Sequence, residues 1–572
     1  MFNRSSSSDV AVPIPAVKAL AKISSIEQIP SFSKPADDLP RNFDENEVFV
    51  VYLTRHNKHL ILATPEGMAQ TSSFFEFVNK LRNRGEVEIA RVDSSLIFSV
   101  KSRLESMDSD SGLEKKEKTR ARDLFVQIID KGIEVGASDV HVCVREDTGR
   151  VLYRIDGAIR RWNQFASKAL REAMGVGFTL DAQEKTRSDN AFLADFAQKC
   201  MIPYEHEDGR KFNLRYQSEV TIGGFDVVIR YLKNNLDVKV LQLEELGYEE
   251  SQRRQLAYAA TKSIGCTIIS GITGSGKTTT LNTILQTLPN RDEKKIYAYE
   301  DPTEIRMRGV SQVSVPPKDK NKPKDDEADS PFLENMKNFL RLDPDVGMFG
   351  EIRDRATALI LQQAAESGHQ IFTTIHATSA LGTVKRLLSP QIGLTRDVLG
   401  ADDFFTALVY QKLIQKVCPH CNVPAIGTLS DSKLALLEVK FNLDVNKLRC
   451  ASVKGCPHCR ISGFQESSNG ENDQDVLLGV KGQTVIAEII VPDDQMREYI
   501  TNGEDLKAKR YWRSLRKAGY DDPNMDGKTA FEHGLYKVSQ GLVDLRTLES
   551  SFVPIEFYQV HDPAEMSTGG KL

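Results

Sequence analysis

Residues 266–288 read CTIISGITGSGKTTTLNTILQTL, and the order of chemistries in that stretch decides the fold. The short apolar run CTIIS has the composition of a buried strand, and TTTLNTILQTL has helical spacing. A glycine-rich loop joins them. Strand, loop and helix in that order open an α/β domain with the loop at a helix N-terminus, where backbone amides can hold an anion. Gly271, Gly274 and Gly276 allow tight turns that aim amides at phosphate oxygens, and Thr273, Ser275 and Thr279 complete the cradle. Lys277 supplies a point charge for the β- and γ-phosphates, and Thr278 can ligate Mg²⁺. The stretch predicts an ATP site.

Holding ATP does not hydrolyse it, so carboxylates are needed near the phosphates. Two further apolar strands end in acids. KIYAYEDPTEI (295–305) carries Glu300, Asp301 and Glu304, and DPDVGMFGEIRD (343–354) carries Glu351. In an open α/β sheet the ligand lies beyond the carboxyl ends of the strands, so both clusters are placed to face the γ-phosphate. One acid would hold Mg²⁺ through water and another would orient or deprotonate the attacking water.

Taken together, GITGSGKTTTL, YEDPTEI, LRLDPDVGMFGEIRDRATA and ESGHQIFTTIHATSA resemble the secretion ATPases of type II secretion and type IV pilus assembly, the GspE/PilB group. They match that family's Walker A, aspartate box, Walker B and histidine box in order, within a resemblance covering roughly 120–550. The resemblance implies an α/β chain with a RecA-like P-loop core, a preceding PAS-like α/β module, and assembly as a homohexamer. It assigns Glu304 as general base, Glu351 as the acid on the Mg²⁺ side, and His376 as the residue coupling γ-phosphate state to neighbouring segments; His369 matches the other histidine of that box. GASDVHV and RVLYRIDG resemble the family's preceding module. There Arg215 in NLRYQS and Arg230 in VVIRYL match the arginines that reach the γ-phosphate. LEELGY (Leu243–Tyr248) matches the linker near the base.

The chain has 572 residues, enough for three or four domains, with ordinary hydrophobic (40%) and charged (27%) content. Residues 1–45, rich in Ser, Pro and Asp, are expected to be a mobile leader. A small α/β domain is expected at 46–105 and the arginine-supplying domain at 119–235, separated by the polar linker ESMDSDSGLEKKEKTR. The ATPase domain takes 236–572, with a charged insertion at 318–330. No apolar run reaches the ~20 residues of a membrane-spanning helix, and the first residues lack a signal-peptide core. A cytoplasmic protein, peripheral to the inner membrane through its partners, is expected. The net charge of −5 and the lack of a basic–aromatic run argue against nucleic acid as a partner.

Four of the eight cysteines lie in two CxxC pairs, Cys418/Cys421 and Cys456/Cys459. That pattern is the usual composition of a closed structural Zn²⁺ site, with a redox dithiol or free thiols as alternatives. The family's four-cysteine element supports zinc, in a subdomain at about 411–465. His420 and His458 fall between paired cysteines, where chain geometry disfavours them as ligands, and Cys450 matches nothing.

Three features depart from the family pattern. Gly347 stands where relatives have an aliphatic residue, and glycine weakens a strand interior. The 318–330 insertion is long. After the cysteines, an inserted polar run precedes VIAEIIVPDD, which resembles ATPases of type IVb and conjugative thin pili. The leading expectation is a hexameric ATPase that drives pilus or pseudopilus assembly through an inner-membrane platform protein. The alternatives are a type II secretion or conjugative-transfer ATPase, a nucleic-acid motor, and a nucleotide-gated scaffold that hydrolyses nothing.

Overall fold

Alternation in the first strands sends successive side chains to opposite faces, and both faces are used. The computed structural model describes residues 21–29, 32–33, 47–53, 58–69, 71–83, 85–108, 112–183, 186–189, 191–233, 240–300, 303, 305–314, 338–464, 475–477 and 479–560. Strands β1 (Ala21–Lys22), β2 (Phe32–Ser33), β3 (Val48–Leu53), β4 (Lys58–Ala63) and β5 (Val87–Arg91) form a mixed sheet in the order β1-β5-β4-β3-β2. Val48, Val50, Ile61 and Ala63 pack under helix Thr71–Arg82 through Phe74, Phe77, Val78 and Leu81. Val51, Leu53, Leu60 and Leu62 pack on the other face against Ile97, Val100 and Leu104 of helix Ser94–Asp108.

The linker expected after this sheet is helical instead. Ser94–Asp108 runs through its first residues and helix Gly112–Glu134 takes up those from 112 on; 109–111 lie outside the described residues. The run is charge-dense, but Glu and Lys are good helix formers.

A six-stranded antiparallel sheet follows: β6 (Asp139–Val144), β7 (Thr148–Ile155), β8 (Ala158–Ala166), β9 (Lys199–Glu205), β10 (Lys211–Thr221) and β11 (Gly224–Lys233), in the order β8-β7-β6-β11-β10-β9. One face is apolar and buried, with Val140, Val142, Val151, Tyr153, Leu214, Tyr216, Val227 and Ile229. The Tyr153 hydroxyl donates to the Ile128 carbonyl of helix Gly112–Glu134 at 2.8 Å. The other face carries the alternate, polar positions.

A seven-stranded sheet follows. Its strands are β12 (Gly265–Ser270), β13 (Ile296–Glu300), β14 (Val310–Ser314), β15 (Val346–Phe349), β16 (Gln370–Ile375), β17 (Phe405–Val417) and a last strand, Val480–Ile490. Between these last two, β18 (Val423–Pro424) pairs with β19 (Arg449–Cys450), and β20 (Arg460–Ser462) with β21 (Asp475–Leu477). With Val480–Ile490 as β22, the order is β14-β13-β15-β16-β12-β17-β22, parallel except for β22. Every residue of β12, β15 and β16 is buried, as a parallel sheet covered on both faces requires. Helices Glu250–Thr261 and Lys277–Gln286 cover one face, and Arg355–Glu366 and Ala380–Leu387 the other.

Gly347 has a packing reason. A Cβ there would sit 2.8 Å from Phe339 Cζ and 2.9 Å from Ile371 Cδ1. Phe339 is fully buried and packs edge-on to Tyr297, Tyr299 and Phe349. The ring occupies the volume that an aliphatic side chain would take. The 318–330 insertion lies outside the described residues. The six- and seven-stranded sheets belong to one compact unit, and β1–β5 with their helices to another.

Candidate functional site

The phosphate loop leaves β12 and enters helix Lys277–Gln286 through Gly276, whose φ is +83°; Gly274 is at +76°. Both angles favour glycine. Gly271 is needed for a different reason, since a Cβ there would lie 2.4 Å from the Gln411 carbonyl oxygen and 2.5 Å from Ser275 Oγ. The loop's carbonyls are held from outside. Lys277 Nζ donates to Gly271 O at 3.0 Å and Ile272 O at 3.1 Å, and His376 Nδ1 lies 3.1 Å from Gly271 O. This cradle, with the helix N-terminus behind it, fits a phosphate chain.

A cavity of about 1410 Å³ opens over the loop and is lined by Thr273, Gly274, Ser275, Gly276, Lys277, Thr278 and Thr279. The carboxyl ends of the neighbouring strands add Glu300, Glu351 and His376. Glu300 is buried and accepts from Gln312 Nε2 at 3.3 Å. Glu351 accepts from Arg353 Nε at 3.0 Å, and its other oxygen lies 3.1 Å from His376 Nε2. His376 thus bridges the loop carbonyl and the Glu351 carboxylate. Asp301 and Glu304 lie outside the described residues.

The far wall comes from the six-stranded sheet. Its register places Arg215 opposite Arg230, Arg230 opposite Asp139, and Asp139 opposite Arg154. Residues directly opposite share a face, and all four line the cavity. Asp139, buried, accepts from Arg230 Nε at 2.7 Å through one oxygen and from Ser138 Oγ at 2.8 Å through the other. Arg154 Nη1 donates to the Gly157 carbonyl at 2.9 Å. Two cations directly opposite each other repel, and Asp139 offsets one of them.

The family described as "Type II/IV secretion system protein" matches residues 114–548, most of the chain. The chain belongs to this family. Type II secretion system protein E of Pseudomonas aeruginosa is 30% identical over 421 residues, covering 72% of this chain and 74% of that one. Type II secretion system ATPase E of Vibrio cholerae is 29% identical over 433 residues, covering 74% and 73%. The type IV pilus assembly ATPase PilB of Thermus thermophilus is 29% identical over 446 residues, covering 76% of this chain; the match spans 44% of that longer protein.

In this secretion ATPase, His369 and His376 sit at opposite ends of β16, and only His376 reaches the cavity. His369 packs on Phe339, with ring centroids 5.5 Å apart, and its Nδ1 is 2.9 Å from Ser367 Oγ. LEELGY forms the short helix Leu243–Leu246, and Tyr248 is buried with its hydroxyl on Gln411. Sequence reasoning did not single out Asp139, Arg154 or Gln411. The register sets the first two, and the third had one signal: a lone amide in the apolar run FFTALVYQ.

The cysteine pairs converge. All four sulfurs, of Cys418, Cys421, Cys456 and Cys459, lie within 4.8 Å of one another, and Cys418–Cys456 and Cys421–Cys459 are each 3.8 Å apart. A disulfide would need about 2.05 Å. A tetrahedral ion with metal–sulfur bonds of about 2.3 Å sets its sulfurs about 3.8 Å apart, so the donor set fits a thiophilic ion such as Zn²⁺. His420 and His458 stack on each other, centroids 3.9 Å apart, outside the sulfur group. Cys450 is buried on β19 and not in the group, and burial pushes its thiol up to about 11.

Proposed function

We propose that this secretion ATPase is a homohexameric motor with a RecA-like core and a PAS-like arginine-supplying module, driving type IV pilus or pseudopilus assembly from the cytoplasmic face. One observation carries this reading: the Arg215–Arg230 pair on one sheet and the phosphate loop, Glu351 and His376 on the other line a single cavity. ATP bound there bridges two modules, so its γ-phosphate sets the angle between them, and hydrolysis with release resets it.

In this reading Gly271, Thr273, Gly274, Ser275, Gly276 and Thr279 hold the phosphates with Lys277. Glu304 orients the attacking water, and Glu300 and Asp301 contribute to nucleotide binding. Arg215 and Arg230 neutralise charge on the γ-phosphate; a planar, permanently charged guanidinium suits that task. Thr278 and Glu351 would hold Mg²⁺, which when bound neutralises the β- and γ-oxygens. His376 senses occupancy, because its contacts tie the loop carbonyl to Glu351. Cys418, Cys421, Cys456 and Cys459 would hold Zn²⁺ as a structural ion.

The partner in this proposal is an integral inner-membrane platform protein. Among the described residues no helix is long and apolar enough to cross a membrane, and membrane association through that partner is part of the proposal. The Pseudomonas and Vibrio relatives favour a second reading, service to a type II secretion machine; conjugative transfer is a third. Salt-sensitive stimulation of hydrolysis by DNA would favour a nucleic-acid translocase instead. The deciding experiment is Glu304→Gln in the parent strain: rings still form and surface pili are lost. Normal piliation in that variant would overturn the motor reading.

A further inference from the structure

The wall behind the phosphate loop carries a polar pair that neither nucleotide chemistry nor core packing requires. Gln411, on β17, is fully buried, and Tyr248, at the end of the segment leading from the arginine-bearing module, is nearly so. Gln411 Nε2 donates to the Ser275 carbonyl at 2.7 Å, and Gln411 Oε1 accepts from the Tyr248 hydroxyl at 2.7 Å. The orientation of the amide follows from its partners. A carbonyl can only accept, so Nε2 must face Ser275 O, leaving Oε1 for a donor, which Tyr248 supplies. Without the tyrosine hydroxyl the amide loses the contact that favours this rotamer, and a flipped amide would set two oxygens against each other.

This contact matters because the peptide unit is planar and trans, with C=O and the next N–H pointing in opposite directions. Drawing Ser275 O back towards Gln411 turns the Gly276 amide the other way. Gly276 is the N-cap of helix Lys277–Gln286 and lines the cavity. The loop's first peptide is held from the other side by Lys277 and His376 on Gly271 O. Gln411 therefore fixes the half of the loop that those residues do not reach. Its own carbonyl also abuts Gly271, which closes the space behind the loop.

Tyr248 is anchored by the segment between the modules. Leu241 O accepts from Thr283 Oγ1 of the loop's helix at 2.9 Å, and Gly247 O accepts from Lys537 Nζ at 2.8 Å. Gly247, at φ +110°, packs so closely that a Cβ would meet Thr484 Oγ1 at 2.1 Å. Seating of 241–248 thus sets the Tyr248 hydroxyl, the hydroxyl sets the Gln411 amide, and the amide sets the loop peptide.

We infer that Tyr248 and Gln411 are positioning residues for the phosphate loop, forming a relay that makes nucleotide affinity depend on how the inter-module segment is seated. The inference rests on the nucleotide-site reading above. Because a loop amide serves ground state and transition state alike, its misplacement should raise KM and spare kcat.

The test uses the full-length chain with Tyr248→Phe, Gln411→Leu and the double variant, measured by ATP turnover and by ADP binding. Loss of one buried hydrogen bond predicts KM for ATP and Kd for ADP raised about threefold in Tyr248→Phe and about tenfold in Gln411→Leu. Since Tyr248 acts through Gln411, the double variant should match Gln411→Leu to within about twofold. Effects that multiply in the double variant, kcat falling together with the rise in KM, or an unchanged KM in Tyr248→Phe would each overturn the relay. Tyr248→Phe keeps the ring's volume and stands as the decisive variant if Gln411→Leu fails to fold. Lys277→Ala separates the two claims. If it abolishes hydrolysis while Tyr248→Phe changes nothing, only the relay fails; if it leaves turnover intact, the nucleotide-site reading fails as well.

Discussion

Arg215 on β10 and Arg230 on β11 are direct cross-strand partners, so two guanidinium groups share one face of a sheet with the Asp139 carboxylate on Arg230. A sheet built for stability alone would not place them so. Arg215→Ala and Arg230→Ala should each lower kcat by roughly 10³-fold, the lower end of what such an arginine is worth, with ADP affinity little changed. Arg215→Ala should change the stability of the fold by less than about 1 kcal/mol, because removal of a like-charge neighbour is set against loss of the contacts Arg215 makes itself. Phosphate release, ADP binding and thermal unfolding measured on one preparation check all three outcomes.

Glu351 and His376 should act as a unit because one oxygen of the acid faces the ring nitrogen at 3.1 Å. Glu351→Gln keeps the shape and removes the charge, and hydrolysis should fall by at least about 10²-fold while ATP still binds. His376→Ala should slow turnover by about tenfold in the native background and have little further effect in Glu351→Gln, the signature of coupled groups. Equal effects of His376→Ala in both backgrounds would mean that the histidine acts elsewhere.

The parts of this site that were legible from sequence are local. The loop's glycines, the acids closing apolar strands and the paired cysteines each sit within a few residues, so spacing reports their geometry. Asp139 and Arg230 meet across ninety-one positions, and only strand register brings them together. Periodicity does not encode which strand lies beside which. The histidine box shows the converse. His369 and His376 flank the six-residue strand β16, and at about 3.3 Å per residue the strand carries them about 23 Å apart. The charged run at the start of helix Gly112–Glu134 reads as linker from its polarity, although Glu and Lys have good helix propensity.

Gly347 looked like a weakness in the strand before Glu351, and the structure makes it a fit. Gly347→Ala should cost about 1–3 kcal/mol, because the new methyl is pressed against Phe339 and Ile371 in a filled core. Phe339→Leu in the same chain should restore part of that loss by vacating the ring's space. Denaturant midpoints of the two variants, compared with the parent, decide whether steric crowding is the cause.

His533 links stability to pH. It is fully buried, its Nδ1 accepts from the Ala487 amide at 3.0 Å, and burial holds it down at about 4. Its unfolded value is near 6.5, so between about 6.5 and 4 the unfolded chain binds the extra proton and stability falls as pH falls. The full window amounts to on the order of 3 kcal/mol. Glu249, 3.6 Å from His533 Nε2, adds a second loss at lower pH. Burial works to raise its carboxyl, but the His533 ring facing it and the Lys537 ammonium, which donates to it at 3.0 Å, overcome that and hold it near 2. Urea midpoints from pH 7 to 4.5 should decline, and His533→Gln should flatten the decline above pH 5. An unchanged slope in that variant would place the proton uptake at other groups.

The cysteine cluster should behave as a structural ion site whose loss spreads beyond its own loops. Helix Asp431–Phe441, between the two pairs, packs Leu434, Leu437 and Phe441 into one core with Leu535, Val538, Leu545 and Leu548 of the C-terminal helices. A closed site of four thiolates contributes directly to folding. Chain purified without chelator should carry about one Zn²⁺ per protomer. Chelation should release it, expose all four thiols to a thiol reagent and lower the unfolding midpoint by several degrees. Cys456→Ser should reproduce the lower midpoint without chelator and show no further shift when chelator is added. Gln411, which touches the phosphate loop, and Cys418 are separated by the last seven residues of β17, roughly 23 Å at 3.3 Å per residue, so ADP binding should survive metal removal at temperatures below the new midpoint. Metal-free chain with an unshifted midpoint would assign the four sulfurs to ordinary thiols, and ADP binding lost together with the metal would mean that the two sites share one cooperative unit.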